Sequence, residues 1–286
     1  MQVIKAKTAG FCMGVSLAIK RLDKALLDYN KNESSGLYTL GPIIHNPQVV
    51  KEYEEKGAIC LNNPGDVPQG ATVVIRAHGL PCDIQQQLQE RGLKIIDATC
   101  PKVKAAQVLI QKAHSSGQGT MLLFGEAEHP EVKGLLSYAN GDALVFGSME
   151  ELKELPLDKN KNYFLAAQTT QEKNIFEQVQ TWLTSFLQHD FAVLSTICDA
   201  TRNRQDDVIE LSKNVKSMVV VGGMNSGNTR RLAEISQNMG VFTVHCENAA
   251  SLPLEKLTQL QPVGLSAGAS TPHEHINEVE RVLIQN

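Results

Sequence analysis

The feature that most constrains this chain is a pattern that occurs three times. Cys12, Cys100 and Cys198 recur at intervals of about 95 residues, each after a short run rich in Ile, Val or Leu. The runs are Val3-Ile4-Lys5-Ala6-Lys7, Leu93-Lys94-Ile95-Ile96-Asp97 and Phe191-Ala192-Val193-Leu194, a composition expected of buried strands. A helix-like segment follows each cysteine, at 15–27, 102–113 and 203–213. Next come a strand ending in glycine (LYTLG, TMLLFG, SMVVVGG), a polar loop (IIHNP, EAEHPE, MNSGNT) and a second helix. A second strand (GAICL, DALVF, VFTVHC), a third (TVVIRAHG, NYFLAAQTT, VGLSAGAS) and a third helix at 84–91, 176–187 and 275–284 complete each copy.

In the first two copies the third helix feeds the strand before the next cysteine. The last copy ends on its helix, and residues 2–7 supply the strand it lacks. The expected fold is therefore α/β: three similar modules with mainly parallel sheets around a pseudo-threefold centre. They span 13–99, 100–197 and 198–286, the last completed by the N-terminal strand 1–12. In such sheets ligand-binding groups gather beyond the C-terminal ends of the strands, where all three cysteines and the polar loops lie. The plainer alternative is three modules that share only a folding pattern, with their cysteines as core residues.

Composition narrows the function. With 286 residues, 42% hydrophobic, the chain has ample material for a core. A net charge of −4 and the absence of a basic stripe argue against a nucleic-acid partner; Arg202-Asn203-Arg204 is followed by Asp206 and Asp207. The N-terminal segment lacks the apolar run of a signal peptide, and no stretch reaches the roughly 18 apolar residues of a membrane span. A cytoplasmic protein without a membrane partner is expected, with reduced thiols. None of the six cysteines forms a Cys-x-x-Cys pair, and Cys60, Cys82 and Cys246 lie outside the repeated position as candidate inert thiols.

Three thiolates converging on one point suit a 4Fe–4S cube with one iron lacking a protein ligand. An open metal position marks a catalytic rather than a purely structural site. The loops around that point carry His45, His78 and His129, and then Ser226, Gly227, Asn228, Ser266 and Ser270. Pro47 and Pro130 sit where a helix begins, and helix N-termini bind phosphate through free N–H groups. Together these make a polar, anion-accepting cup. Singly, each has an ordinary reading: a structural histidine, a Ser-Gly-Asn turn, Glu131 complementing a helix dipole, Thr169 and Thr170 ending a strand.

The segments TAGFCMGV, IIHNPQV, RAHG, DATCP, GEAEHPEVKG, AAQTT, ICDATRNRQ, MNSGNTRRL and SAGAS, in this order, resemble those of the 4-hydroxy-3-methylbut-2-enyl diphosphate reductases. That family performs the last step of the methylerythritol phosphate route of isoprene biosynthesis. The resemblance implies an oxidoreductase with three α/β domains around one 4Fe–4S cluster held by Cys12, Cys100 and Cys198. It implies a diphosphate pocket lined by His45, His78, His129, Ser226, Asn228 and Ser270, with Glu131 as proton donor and Thr169 beside it in the relay. It further implies two-electron reductive dehydroxylation of (E)-4-hydroxy-3-methylbut-2-enyl diphosphate, with the substrate hydroxyl on the open iron. The products are isopentenyl and dimethylallyl diphosphate, and the electrons come from a donor such as ferredoxin or flavodoxin. One position departs from the pattern: Gly227 stands where many members have a second serine. The rival readings are a non-redox iron–sulfur hydro-lyase, which would need no electron donor, and a non-enzymatic metal or phosphate sensor.

Overall fold

The computed structural model describes residues 1–29 and 36–286. Along the chain come β1 (Val3–Lys5), α1 (Met13–Asp28), β2 (Leu37–Leu40), α2 (Pro47–Glu55), β3 (Ala58–Leu61), β4 (Thr72–Ile75), α3 (Cys82–Glu90) and β5 (Lys94–Asp97). Then follow α4 (Pro101–Ser115), β6 (Thr120–Phe124), α5 (Pro130–Ser137), β7 (Ala143–Phe146), α6 (Met149–Glu154), β8 (Tyr163–Ala167), α7 (Lys173–Leu187) and β9 (Ala192–Val193). The remainder forms α8 (Asp199–Ser212), β10 (Ser217–Val221), α9 (Gly227–Asn238), β11 (Phe242–Cys246), α10 (Leu254–Gln259), β12 (Val263–Ala267) and α11 (His273–Gln285).

Among the described residues these strands make three four-stranded sheets, ordered β3-β2-β4-β5, β7-β6-β8-β9 and β11-β10-β12-β1. Every pairing is parallel. The order is the same each time, so the fold is three similar α/β modules. The first strand of the chain, β1, takes the outer place in the third sheet, with Val3, Ile4 and Lys5 opposite Val263, Gly264 and Leu265. The terminal ammonium donates to the Leu283 carbonyl of α11 at 3.1 Å.

By compactness the chain divides into two units. One comprises Met1–Ser16, Ile44–Val49 and Asp199–Asn286, and holds the β1-containing sheet; the other comprises Leu17–Ile43 and Val50–Cys198, and holds the other two. In the first unit all five β10 residues are buried. Val219 and Val221 pack with Ile276, Val279 and Leu283 of α11, while Met218 and Val220 pack with Val208 and Leu232 of α8 and α9. A strand covered on both faces is apolar throughout, which is why SMVVV shows no alternation. In the second unit Leu122 and Phe124 of β6 meet Phe176, Val179 and Leu183 of α7, and Met121 and Leu123 meet Ala106 and Ile110 of α4.

The chain differs from expectation in local detail. Helix α8 begins at Asp199 rather than 203, its first turn carrying an Arg202–Asp199 ion pair that hydrophobic periodicity does not register. A short helix or 3-10 turn follows the second strand of each module: Pro64–Asp66, α6 and α10. For α6 the signal was present, since Ser148 caps it by accepting the Glu151 N–H at 3.2 Å. Ser266 lies inside β12 rather than in the following loop.

Candidate active site

The repeated cysteines occupy one structural position three times. The N–H of Cys12 donates to the Ala269 carbonyl at 3.2 Å, that of Cys100 to Ala77 at 2.9 Å and that of Cys198 to Thr169 at 3.0 Å. Each acceptor stands two residues beyond the end of the third strand of its module, at Ala267, Ile75 and Ala167. Each cysteine immediately precedes a helix, and the Cys12 sulfur accepts the Val15 N–H at 3.4 Å. The local peptide geometry is thus imposed by the sheet, and the positive end of a helix faces an anionic sulfur favourably.

All three are partly exposed. Soft sulfur donors that are not buried, on rigid turns at helix starts, suit an iron–sulfur group. The other cysteines sit elsewhere. Cys246 closes β11 with 0% exposure, and burial pushes its thiol up to about 12. Cys60 lies in β3, its thiol also raised, chiefly by burial.

The loop holding Cys12 is anchored within its compact unit from α8. The Asp207 carboxylate accepts the N–H and the hydroxyl of Thr8, each at 2.8 Å, and Arg204 donates to the Gly10 carbonyl at 2.5 Å. Arg204 is buried, and a further bond from it reaches the Ala200 carbonyl at 3.2 Å.

In the other unit, the start of α5 meets the loop after β8. His129 caps α5, its Nδ1 accepting the Glu131 N–H at 3.1 Å. A neutral His129 therefore carries its proton on Nε2. Glu131, at 1% exposure, is clasped by one residue: Oε1 accepts the Thr169 N–H at 2.6 Å and Oε2 the Thr169 hydroxyl at 2.9 Å. The His78 ring stands edge-on to His129, centroids 5.4 Å apart. His78 is held by the RAHG turn, in which Gly79 takes φ +75° and donates to the Arg76 carbonyl at 3.0 Å. A Cβ at Gly79 would also come within 2.9 Å of Gln107 Nε2, so glycine is required twice over. Beside this group, the buried Thr170 Oγ1 has no hydrogen-bond partner among the described residues.

The hydroxyl and amide residues gather in the first unit. Ser226 caps α9 by accepting the Thr229 N–H, with Gly227 and Asn228 in the first turn. Asn228 is 6% exposed, and its Nδ2 has no partner among the described residues, a donor held ready for an acceptor. The hydroxyl of Ser270 donates to the His45 carbonyl at 3.1 Å. Asn46, which the sequence reading passed over, binds this arrangement: its Nδ2 donates to the Ser270 carbonyl at 3.0 Å, while its Oδ1 accepts the Gln48 and Val49 N–H groups. Asn before Pro at a helix start was the available clue. Each compact unit thus brings together its own share of the expected residues: Cys12, His45, Ser226, Asn228 and Ser270 in one, and Cys100, Cys198, His78, His129, Glu131 and Thr169 in the other.

Three parallel modules with a cysteine at one recurrent turn and polar groups in the loops beyond the strands define an α/β enzyme of the ligand-at-strand-ends type. The LytB protein family model matches residues 3–284. A 4-hydroxy-3-methylbut-2-enyl diphosphate reductase of Nitratidesulfovibrio vulgaris (strain DSM 19637 / Miyazaki F) is 54% identical over 283 residues, 99% of each chain. One of the same name from Clostridioides difficile (strain 630) is 36% identical over 279 residues, 98% of each chain. The solved E-1-hydroxy-2-methyl-but-2-enyl-4-diphosphate reductase of Plasmodium falciparum aligns with a TM-score of 0.91 at 28% identity, covering 99% of this chain and 87% of that one. The chain belongs to the LytB family. No helix among the described residues is long and apolar enough to cross a membrane.

Proposed function

We infer that this chain reduces (E)-4-hydroxy-3-methylbut-2-enyl diphosphate to isopentenyl and dimethylallyl diphosphate, the activity for which its relatives are named. The substrate takes two electrons and two protons and loses its hydroxyl as water. One 4Fe–4S cluster on Cys12, Cys100 and Cys198 would supply the electrons and a Lewis-acidic iron. With α/β modules at 13–99, 100–197 and 198–286 plus strand 1–12, the three ligands stand at the three junctions between successive modules: Cys12 just before the first, Cys100 opening the second and Cys198 opening the third. What carries the reading is the shared backbone bond of the three cysteines, which no purely folding requirement asks of a cysteine.

The remaining residues bind, orient and protonate. Toward the diphosphate oxygens, Asn228 offers its amide and Ser226 its hydroxyl, Ser270 donates once its hydroxyl turns from the His45 carbonyl, and α9 and α5 offer the first-turn N–H groups that Ser226 and His129 do not take. His129 presents Nε2–H as a neutral donor, and His45 and His78 add further imidazoles. Glu131 delivers the proton that turns the leaving hydroxyl into water, with Thr169 holding its carboxylate and passing the proton on. The electrons come from a small reduced carrier such as ferredoxin or flavodoxin, in the cytoplasm.

The test is anaerobic purification with iron and sulfide counted, followed by turnover with a chemical reductant. Cys12→Ser, Cys100→Ser and Cys198→Ser should each lose the cluster's visible absorption, while Cys60→Ser and Cys246→Ser keep it. Equal effects at all five positions would overturn the ligand set. Turnover without any reductant would instead point to a hydro-lyase.

A further inference from the structure

Helix α4 starts at the residue after Cys100, and its outer face is unlike the rest of this acidic chain. It carries Lys102, Lys104, Lys112 and His114 and no acidic residue, whereas α1 and α8 mix both signs. Val108 is 62% exposed and Leu109 38% exposed. Lys104, Val108 and Lys112 follow at four-residue spacing, so they share one face. Val108 lies about 12 Å along the axis from Cys100, at 1.5 Å per residue. Within the same compact unit, α1 adjoins this face at Asp97. Arg21 donates to the Asp97 carbonyl, and Lys104 pairs with the Asp97 carboxylate. Lys20 and Lys24, also exposed, flank Arg21 on α1 at helical spacing. The acid of that stretch of α1, Asp23, is taken up by the Tyr53 hydroxyl at 2.6 Å.

We propose that this face, Val108 and Leu109 between Lys104 and Lys112 on α4, together with the cationic stretch Lys20, Arg21 and Lys24 of α1 that reaches it at Asp97, docks an acidic electron-carrier protein. The proposal rests on the reductase reading and deepens it. A reaction that consumes two electrons per substrate must take them from outside the chain. The reduced carrier, a flavin or iron–sulfur protein, gives them up and is itself oxidised. Carriers bind transiently, through small interfaces with an apolar middle and charges that steer encounter. A cationic face on an otherwise acidic protein draws an acidic carrier to the helix that begins at one cysteine ligand.

The test compares three variants of the holoenzyme: Lys24→Glu/Lys112→Glu, Val108→Asp, and Lys153→Glu/Lys161→Glu as a charge-matched control away from this face. With reduced flavodoxin at low ionic strength, the KM for the carrier should rise about tenfold in the first two and stay unchanged in the control. The difference for the charge reversal should shrink at about 0.5 M salt. Turnover with dithionite-reduced methyl viologen, a cation, should not fall in any variant. Titration of flavodoxin onto the protein should show the same loss of affinity without reference to turnover. Unchanged carrier affinity in the first two variants, or an equal loss in the control, overturns the docking surface. Absence of viologen-driven turnover in the unaltered protein overturns the reductase reading instead, and the titration still judges the surface.

Discussion

Glu131 offers the sharpest separation of folding from chemistry. Its two oxygens accept two different donors of Thr169, the N–H at 2.6 Å and the hydroxyl at 2.9 Å, at a site with 1% exposure. Glu131→Ala strands both donors and leaves a void. Hydrogen bonds to a buried charged group are worth roughly 1.5–3 kcal/mol each, so a loss of about 4 kcal/mol is expected. Glu131→Gln behaves differently, because the geometry selects one amide orientation. The amide oxygen must take the Thr169 N–H, which only donates. The NH₂ then meets the hydroxyl, which turns to accept. Only charge assistance is lost, about 1 kcal/mol. At about 3 °C per kcal/mol for a chain of this size, the melting temperature should fall near 12 °C for alanine and near 3 °C for glutamine. Activity should follow the opposite logic. An amide, unlike a carboxylate, cannot take up a proton and release it to the leaving group, and loss of a general acid costs at least about 100-fold in kcat. Differential scanning calorimetry and anaerobic turnover with reduced viologen measure both. A glutamine variant as unstable as alanine would refute the hydrogen-bond reasoning, and one with unaltered kcat would remove Glu131 from proton delivery.

Three more outcomes follow from the geometry. Asp207→Ala removes the acceptor of both Thr8 donors and should lower stability in urea by about 2 kcal/mol, with faster amide exchange at Thr8; an unchanged midpoint would show that the Cys12 loop is held by other contacts. In cluster-free protein at pH 8, Cys246 should resist iodoacetamide, because burial holds its thiol up to about 12 and leaves almost no thiolate, while the partly exposed Cys12 and Cys198 react; peptide mass spectrometry reads the order, and early labelling of Cys246 would contradict it. His245 is half-buried, donates Nε2–H to the Gly222 carbonyl at 2.9 Å, and has its pKa lowered mainly by that burial. Its folded pKa lies below the unfolded value near 6.5, so as pH falls through about 6.5 the unfolded chain takes up the proton first and stability declines. His245→Gln should flatten the stability difference between about pH 7.5 and 5.5, and an identical slope in denaturant melts would show that the burial cost is relieved elsewhere.

The elements most legible in the sequence were those with a local signature. Strands such as SMVVV and TMLLF were visible as short apolar runs, and α7 and α11 as spaced apolar stripes, because burial on a sheet writes itself into residue order. Less legible were elements stabilised by a few polar contacts. The strand β9 shrinks to Ala192–Val193, α6 depends on the Ser148 cap, and α8 gains its first turn from polar residues. Asn46 was missed for the same reason: its importance lies in a bond to Ser270, far away in sequence, which no window contains.

By itself, the sequence determined the threefold recurrence, the register of Cys12, Cys100 and Cys198 within it, and the need for an N-terminal strand in the last sheet. Each is a property of spacing and hydrophobic order, and β1 does pair with β12. Only tertiary structure decided that Thr169 grips Glu131, that Asp207 and Arg204 hold the Cys12 loop, and that Asn228 keeps an amide in reserve. Those are contacts between side chains distant in the chain or donors left over from them, and a buried polar group finds its partner only where the packed sheets and helices bring one within about 3 Å.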